Sequence, residues 1–221
     1  MAEPTPHIAV CGVLELPRML RELAATNHPV ANIISVRSAP AVNRWGFISR
    51  DFTPVTAEIE TPSTDVKRPE RLLLTCDDVA NTQQSQKPPT PNLLIAAYGF
   101  ARRHMTHSPE NTLLVHCAFG LSRSPSTALA IIASHQLSTD GFCNPKQCVD
   151  QVLTIRPGAT FNPLMVLHTD NLLGLNGALV DSVNNHPDVK RNIRNTRLKR
   201  RVFSLTSRLA RKSASLSYLI P

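Results

Sequence analysis

The residues best suited to chemistry lie between an apolar strand and an apolar helix. Segment 113–132 begins with the apolar run 113–115 and ends in a stretch rich in alanine, leucine and isoleucine. Between them, Cys117 is followed by Gly120 and, six positions after the cysteine, by Arg123. A loop that opens a helix points successive N–H groups at one spot, where the helix dipole favours an anion. The spacing therefore predicts a strand, an oxyanion-binding loop and a helix N-terminus.

Cysteine and arginine at this spacing suggest covalent phosphoryl transfer. Arg123 can act as a planar, bidentate donor to the equatorial oxygens of a phosphate. The positive field of the loop would favour the thiolate form of Cys117, which is the nucleophilic form. Ser122 and Ser124 supply hydroxyls that can steady the thiolate or help it leave. The expected reaction passes through a phosphocysteine. The alternative is a buried structural cysteine beside an arginine that forms a salt bridge.

Residues 116–124, HCAFGLSRS, resemble the signature of cysteine-based protein tyrosine phosphatases, His-Cys-x-x-Gly-x-x-Arg-Ser/Thr. The Gly-x-Ser-Arg-Ser ending is similar to that of the small dual-specificity and bacterial members. The resemblance implies that Cys117 attacks, Arg123 binds the transition state and Ser124 aids hydrolysis of the intermediate, while His116 orders the loop and tunes the thiolate. It also implies a phosphate-binding loop made of Ala118, Phe119, Gly120, Leu121, Ser122 and Arg123.

Two aspartates are candidates for a general acid. The run 71–76, RLLLTC, predicts a strand, and Asp77 and Asp78 follow its end. Side chains just past the carboxyl end of a strand lie at the rim where open α/β sheets place their chemistry. In the families that the chain resembles, the acid comes from such a loop, and Asp78 precedes Cys117 by 39 residues. We favour Asp78, with Asp77 as the alternative, to protonate the leaving oxygen and then deprotonate water.

The remaining periodicity predicts an α/β fold with a central, mainly parallel sheet flanked by helices. An apolar strand at 8–11, a helix at 14–23 and a strand at 30–36 form a βαβ pattern. Further helices are expected from Pro91 to about residue 104, across 145–155 and across 164–173. The resemblance narrows this architecture to the cysteine-phosphatase fold.

The chain divides by composition into a domain and a tail. We expect a phosphatase domain over 1–186, in which 37–70 is an irregular insertion or loop that carries four prolines. Up to residue 189 there are 14 lysines and arginines against 16 acids, whereas from residue 190 there are 10 and no acid. The predicted tail, 187–221, therefore holds the whole positive excess and is either a basic amphipathic helix or disordered.

The tail suggests partners that carry negative charge. Leu198, Val202, Leu205 and Leu209 form a narrow apolar stripe among arginines. Through Lys190 to Lys212, the tail can lie on an anionic membrane, bind an acidic partner or contact nucleic acid nonspecifically.

The N-terminus and the cysteines indicate a cytoplasmic protein. The sequence begins without a secretory signal, and no apolar run approaches the roughly 18 residues of a membrane-spanning helix. Five cysteines without regular spacing form neither a disulfide framework nor a zinc pattern. We expect a reducing compartment, no metal and no cofactor.

The leading hypothesis is a metal-independent protein tyrosine or dual-specificity phosphatase that acts on phosphorylated proteins. The Cys117 loop contains no lysine, which disfavours a phosphoinositide phosphatase. One alternative is an RNA 5′-phosphatase, since related folds have this activity and the tail is basic. The other is a noncatalytic scaffold that binds phosphoproteins.

Overall fold

The computed structural model describes residues 7–38, 69–80 and 87–198. Its elements, in chain order, are strand β1 (Ile8–Gly12), helix α1 (Leu16–Ala24), strands β2 (Val30–Arg37) and β3 (Glu70–Thr75), helix α2 (Pro91–His107), strand β4 (Thr112–Cys117), and helices α3 (Arg123–Asp140), α4 (Pro145–Ile155), α5 (Pro163–Leu173) and α6 (Ala178–Asn185). A further helix, α7, occupies 187–198, the last residues that the structure describes.

The four strands form one parallel sheet in the order β1-β4-β2-β3. Because all four run the same way, their carboxyl ends meet at one edge. Strand β4 lies inside the sheet and all six of its residues are buried, which explains the apolar run that precedes Cys117. In the register of the sheet, His116 pairs with Cys11 of β1 and Ser35 of β2.

Helix α3 is the central helix of the core. It packs on β4 and contacts α2, α4 and α5, while α1 packs against β1 and β2. Eleven consecutive residues of α3, from Arg123 to Ala133, are buried. A first turn that is itself buried requires small side chains, and Ser124, Pro125 and Ser126 supply them. The fold thus fixes the N-terminus of α3 against the end of β4, as the sequence predicts.

The predicted α/β architecture is confirmed, and the first part of the predicted tail is helical. The tail was expected to begin at residue 187, but 187–198 form α7, whose Val189 is 1% exposed and belongs to the core. Ile193, one turn later, packs against the same core. This apolar pair attaches the helix despite its many charges. The rest of the predicted tail, 199–221, lies outside the described residues.

The predicted insertion, 37–70, lies between β2 and β3 in the chain. Arg37 is the last residue of β2 and Glu70 the first of β3, so both ends belong to the sheet. Residues 39–68 lie outside the part of the chain that the structure describes. Among the helices that it does describe, none has the length and apolar character needed to cross a membrane.

Candidate active site

Cys117 ends β4 at the carboxyl edge of the sheet, where its side chain is 3% exposed. Its Sγ accepts hydrogen bonds from the Gly120 N–H at 3.3 Å and from the Ser124 hydroxyl at 3.2 Å. Both donors favour a negatively charged sulfur, because hydrogen bonds to an ionised acceptor are the stronger kind. In the structure, therefore, the Ser124 hydroxyl lies within hydrogen-bond distance of the Cys117 sulfur.

Glycine is required where the Cys117 loop, residues 117–123, passes the end of β1. Gly120 has a φ of 70°, in the left-handed region. A Cβ on Gly120 would lie 2.5 Å from the backbone nitrogen of Gly12, and a Cβ on Gly12 would lie 2.9 Å from the carbonyl carbon of Phe119. The two backbones can approach this closely only because neither glycine carries a side chain.

An ion pair that the sequence analysis missed holds the loop from outside. Arg156 donates from Nε to the Gly120 carbonyl at 3.0 Å and from a terminal nitrogen to the Phe119 carbonyl at 3.3 Å. In a trans peptide unit the carbonyl and the next N–H point in opposite directions. Holding these two carbonyls on Arg156 therefore turns the N–H groups of Gly120 and Leu121 inward.

Glu15 completes this ion pair. Its carboxylate lies 2.9 Å from the Arg156 guanidinium and accepts the Gly12 N–H at 2.7 Å. Burial would raise the pKa of Glu15, but the Gly12 hydrogen bond and Arg156 outweigh it and hold that pKa below its ordinary value. Sequence reasoning did not find this pair, because nothing local relates Arg156 to a residue 141 positions away.

Arg123, the first residue of α3, has a side chain only 4% exposed that lines the same cavity as Cys117. One terminal nitrogen donates to the Cys76 carbonyl at 2.8 Å and to the Ser38 hydroxyl at 2.9 Å. Its Nε is buried and finds no acceptor among the described residues. A buried donor without an acceptor costs about 1–3 kcal/mol, so this edge of the guanidinium is suited to receive an anionic oxygen.

The two candidate acids face different partners. The carboxylate of Asp77 accepts the backbone N–H of Lys87 at 3.3 Å. Asp78 lines the cavity with Cys117, and its Oδ1 accepts the Ser122 hydroxyl at 2.6 Å. The Ser122 hydroxyl, which the sequence offered together with Ser124 as a group able to steady the thiolate, is bonded to Asp78 in the structure. Position in the cavity therefore favours Asp78 over Asp77.

Asn162, a residue that sequence reasoning missed, holds Asp78 from the other side. Its side-chain amide donates to Asp78 Oδ1 and to the Val79 carbonyl, each at 3.0 Å. Its own Oδ1 accepts the Met165 N–H at 3.1 Å and so caps α5. The sequence predicts a helix across 164–173, but nothing in it indicates the contact between Asn162 and Asp78.

His116 lies directly behind Cys117 and joins three strands. Its Nε2 lies 2.7 Å from the Ser35 hydroxyl, which in turn accepts from Arg71 Nε at 2.7 Å. The Ser35 hydroxyl thus connects His116 of β4 to Arg71 of β3. Burial, together with the charges of Arg71 and Arg37, lowers the pKa of His116 to about 4. The imidazole is therefore neutral near pH 7.

These residues surround a cavity of about 380 Å³ at the carboxyl edge of the sheet. It is lined by Asp78, Cys117, Phe119, Leu121, Ser122, Arg123, Gly158, Thr160, Asn192, Asn195 and Thr196. The last three belong to α7, so the segment predicted to be a tail forms one wall of the site. Among the described residues, no group of three or more His, Cys, Asp and Glu is arranged to hold a metal ion.

Comparison with known proteins identifies the fold. No protein-family model matches the sequence, and no curated protein sequence matches it. Among solved structures, human DUSP28 superposes with a TM-score of 0.50 at 13% identity, over 80% of this chain and 99% of that chain. The Yvh1 phosphatase domain from Chaetomium thermophilum has a TM-score of 0.48 at 18% identity, over 80% and 96%. The Cydia pomonella PTP-2 phosphatase has 0.49 at 18% identity, over 77% and 88%. The likeness to DUSP28 is one of fold and agrees with the predicted architecture.

Proposed function

Because this chain has the fold of the cysteine-based protein tyrosine phosphatase superfamily, we propose that it hydrolyses phosphomonoesters through a phosphocysteine intermediate and without a metal ion. One observation carries the proposal. The Cys117 sulfur, held by two hydrogen-bond donors, opens into a cavity that is also lined by Arg123 and Asp78. Nucleophile, anion-binding group and acid thus share one pocket.

The first step is the attack of Cys117. The phosphate binds the inward N–H groups of the loop and the free Nε edge of Arg123, which neutralise its equatorial oxygens. The Sγ lone pair forms the S–P bond while the P–O bond to the leaving group breaks, and its electron pair stays on the leaving oxygen. Asp78 protonates that oxygen. Ser122 and Asn162 both bind its Oδ1, so Oδ2 is the atom suited to carry the proton.

The second step releases phosphate. Asp78, now a carboxylate, takes a proton from a water molecule whose oxygen attacks phosphorus. The S–P bond breaks and its electron pair returns to Sγ. The Ser124 hydroxyl, 3.2 Å from Sγ, stabilises the thiolate as this charge returns. We propose that His116 supports the loop from behind and takes no proton, since it is neutral near pH 7.

The nucleophile is tested with p-nitrophenyl phosphate in excess EDTA. The wild-type chain should turn it over, and Cys117→Ser should lower kcat by at least about 1000-fold, as expected for loss of a nucleophile. Cys143→Ser is the matched control, because this half-buried cysteine does not line the cavity. Retained activity in Cys117→Ser, or activity that EDTA removes, would contradict the proposal.

The substrate class is a protein carrying phosphotyrosine, or phosphotyrosine together with phosphoserine and phosphothreonine. It is tested by comparing kcat/KM on phosphotyrosine and phosphoserine peptides with that on 5′-triphosphorylated RNA. RNA turnover equal to or better than peptide turnover would favour an RNA 5′-phosphatase. Tight binding of a phosphopeptide without release of phosphate would show a noncatalytic phosphoprotein-binding scaffold.

A further inference from the structure

Helix α7 is fixed to the domain by two apolar side chains. Val189 is buried in the core at 1% exposure, and Ile193 packs against the same cluster one turn later. Residues four apart lie on one face of a helix, so these two define the face that α7 turns to the protein. Around Val189 and Ile193, the helix is therefore part of the folded domain.

A second set of contacts ties α7 to the Cys117 loop. The Asn192 side-chain amide donates to the Pro157 carbonyl at 2.6 Å and to the Ala159 carbonyl at 2.9 Å. Thr160 donates to the Leu121 carbonyl from its N–H at 2.7 Å and from its hydroxyl at 3.0 Å. Helix α7 is thus connected to the loop through the segment 157–160. The position of this wall relative to Cys117 is set by hydrogen bonds and not by packing alone.

Of the three α7 residues that line the cavity, Asn195 and Thr196 are the ones with hydrogen-bonding groups to spare. Both line the cavity, and neither side chain has a hydrogen-bond partner among the described residues. Together they offer an amide N–H pair, an amide oxygen and a hydroxyl. Asn192, by contrast, already uses its amide protons on the 157–160 segment.

The charge of the lining indicates what these groups recognise. Among the described residues that line the cavity, Arg123 is the one cation, and in the proposed reaction it binds the phosphate that is transferred. Lys190, Arg194 and Arg197 of α7 are exposed to solvent and do not line the cavity. A substrate with further phosphates beside the reacting one would meet neutral groups there. A peptide main chain, which is neutral and carries both donors and acceptors, matches them.

We propose that Asn195 and Thr196 hydrogen-bond the main chain of a phosphopeptide beside its phosphorylated residue, and so select phosphopeptides over other phosphomonoesters. This inference rests on the proposed function in placing the phosphate on the Cys117 loop. In this proposal the wall of the cavity that α7 forms selects the substrate, while Cys117, Arg123 and Asp78 carry out the reaction.

The test is the ratio of kcat/KM for a phosphotyrosine peptide to kcat/KM for p-nitrophenyl phosphate, which has no main chain. In the full chain carrying Asn195→Leu and Thr196→Val, which keep side-chain size but remove the hydrogen bonds, this ratio should fall about tenfold, the loss expected for two neutral bonds. Asn184→Leu, an equivalent change at an exposed position of α6, should leave the ratio unchanged. An unchanged ratio in the double variant, or better wild-type turnover of 5′-triphosphorylated RNA than of the peptide, would overturn the inference.

A binding measurement separates this inference from the proposed function. In chains that carry Cys117→Ser, calorimetry should show phosphopeptide affinity about tenfold weaker when Asn195→Leu and Thr196→Val are added. This result supports the wall even if the wild-type chain releases no phosphate. Equal affinities, or no binding of the phosphopeptide to Cys117→Ser, would overturn the role proposed for Asn195 and Thr196, whatever the activity of the wild type.

Discussion

At the scale of single residues, Asn162 makes two separate sets of hydrogen bonds, one through its side-chain oxygen and one through its amide nitrogen. Its oxygen caps α5, and its amide nitrogen holds Asp78 and the Val79 carbonyl. The residue is 1% exposed, so these bonds form away from competing water. Serine is as good a helix cap as asparagine but has no amide to reach Asp78. Substitution by serine can therefore separate the cap from the support of the acid.

We predict that Asn162→Ser lowers kcat about tenfold on phenyl phosphate and less on p-nitrophenyl phosphate. A poor leaving group depends more on a positioned acid, and general-acid catalysis contributes about 100-fold or more in all. Stability should fall by about 1–2 kcal/mol for the two lost amide bonds, measured by urea unfolding. Asn144→Ser, the same change at the cap of α4, should affect neither substrate. An equal fall on both substrates would contradict the role assigned to Asn162.

His116 predicts a pH dependence of stability. Its ordinary pKa of 6.5 applies in the unfolded chain, whereas in the folded chain it is lowered to about 4. Between pH 6.5 and about 4, His116 is therefore protonated in the unfolded chain but not in the folded chain. The free energy of unfolding falls as the pH drops through this range. His116→Asn should remove this loss, which is on the order of 2 kcal/mol between pH 7 and pH 5. Urea unfolding at both pH values measures it, and an equal loss in wild type and variant would refute the account.

Sequence reasoning reached the residues that we propose to act on phosphate and missed those that contact them from other elements. Cys117, Arg123 and Ser124 lie within one short segment, and Asp78 follows a strand with a clear apolar pattern. Asn162, by contrast, meets Asp78 across 84 positions of sequence. The Glu15–Arg156 pair behaves in the same way. Such contacts follow from the packing of distant elements, which periodicity does not encode.

At the scale of elements, the close approach of β1 to the Cys117 loop depends on Gly120. We predict that Gly120→Ala lowers kcat/KM by at least about 100-fold, because the new Cβ would displace the N–H groups that we propose to bind phosphate. Stability should fall by at least about 2 kcal/mol, owing to the positive φ and the contact with Gly12. The measurements are p-nitrophenyl phosphate turnover and urea unfolding.

Gly99→Ala is the control for this prediction. Gly99 lies inside α2, and a Cβ there would meet nothing within 4 Å. Alanine should therefore stabilise the protein by about 0.5–1 kcal/mol and leave activity unchanged. If Gly120→Ala were as well tolerated as Gly99→Ala, the loop would not need the backbone conformation described above.

Several helices could be predicted from the sequence because the residues at their N-termini are typical helix starts. Helices α4 and α5 each begin at an Asn-Pro pair whose asparagine caps the helix, and α4 has the predicted bounds, 145–155. Helix α6 was missed because it spans only eight residues and its N-cap is Gly177, which has no side chain to cap it. Short helices without a cap are stabilised mainly by tertiary packing, and the sequence shows that packing only weakly.

At the scale of the whole molecule, the basic charge of residues 190–198 did not indicate that they pack on the core. The basic composition after residue 190 predicted a tail, yet 187–198 fold onto the core and line the cavity. Val189 and Ile193 are separated by one turn and surrounded by exposed polar residues. Two apolar residues give only a weak helical pattern in the sequence. They are nevertheless sufficient to attach the helix, because the rest of the core is there for them to pack against.

The attachment of α7 is therefore the feature of the whole fold that most needs testing. In the full chain, Val189→Ala with Ile193→Ala should lower the free energy of unfolding by about 2–4 kcal/mol, the usual cost of emptying buried apolar sites. Leu198→Ala is the matched control, because Leu198 lies on the same helix but is 62% exposed, so its loss should cost less than about 0.5 kcal/mol. The double variant should also lose turnover of phosphopeptides more than turnover of p-nitrophenyl phosphate, since the wall would no longer be held in place. Equal costs for the control and the double variant, measured by urea unfolding, would show that α7 does not pack on the domain.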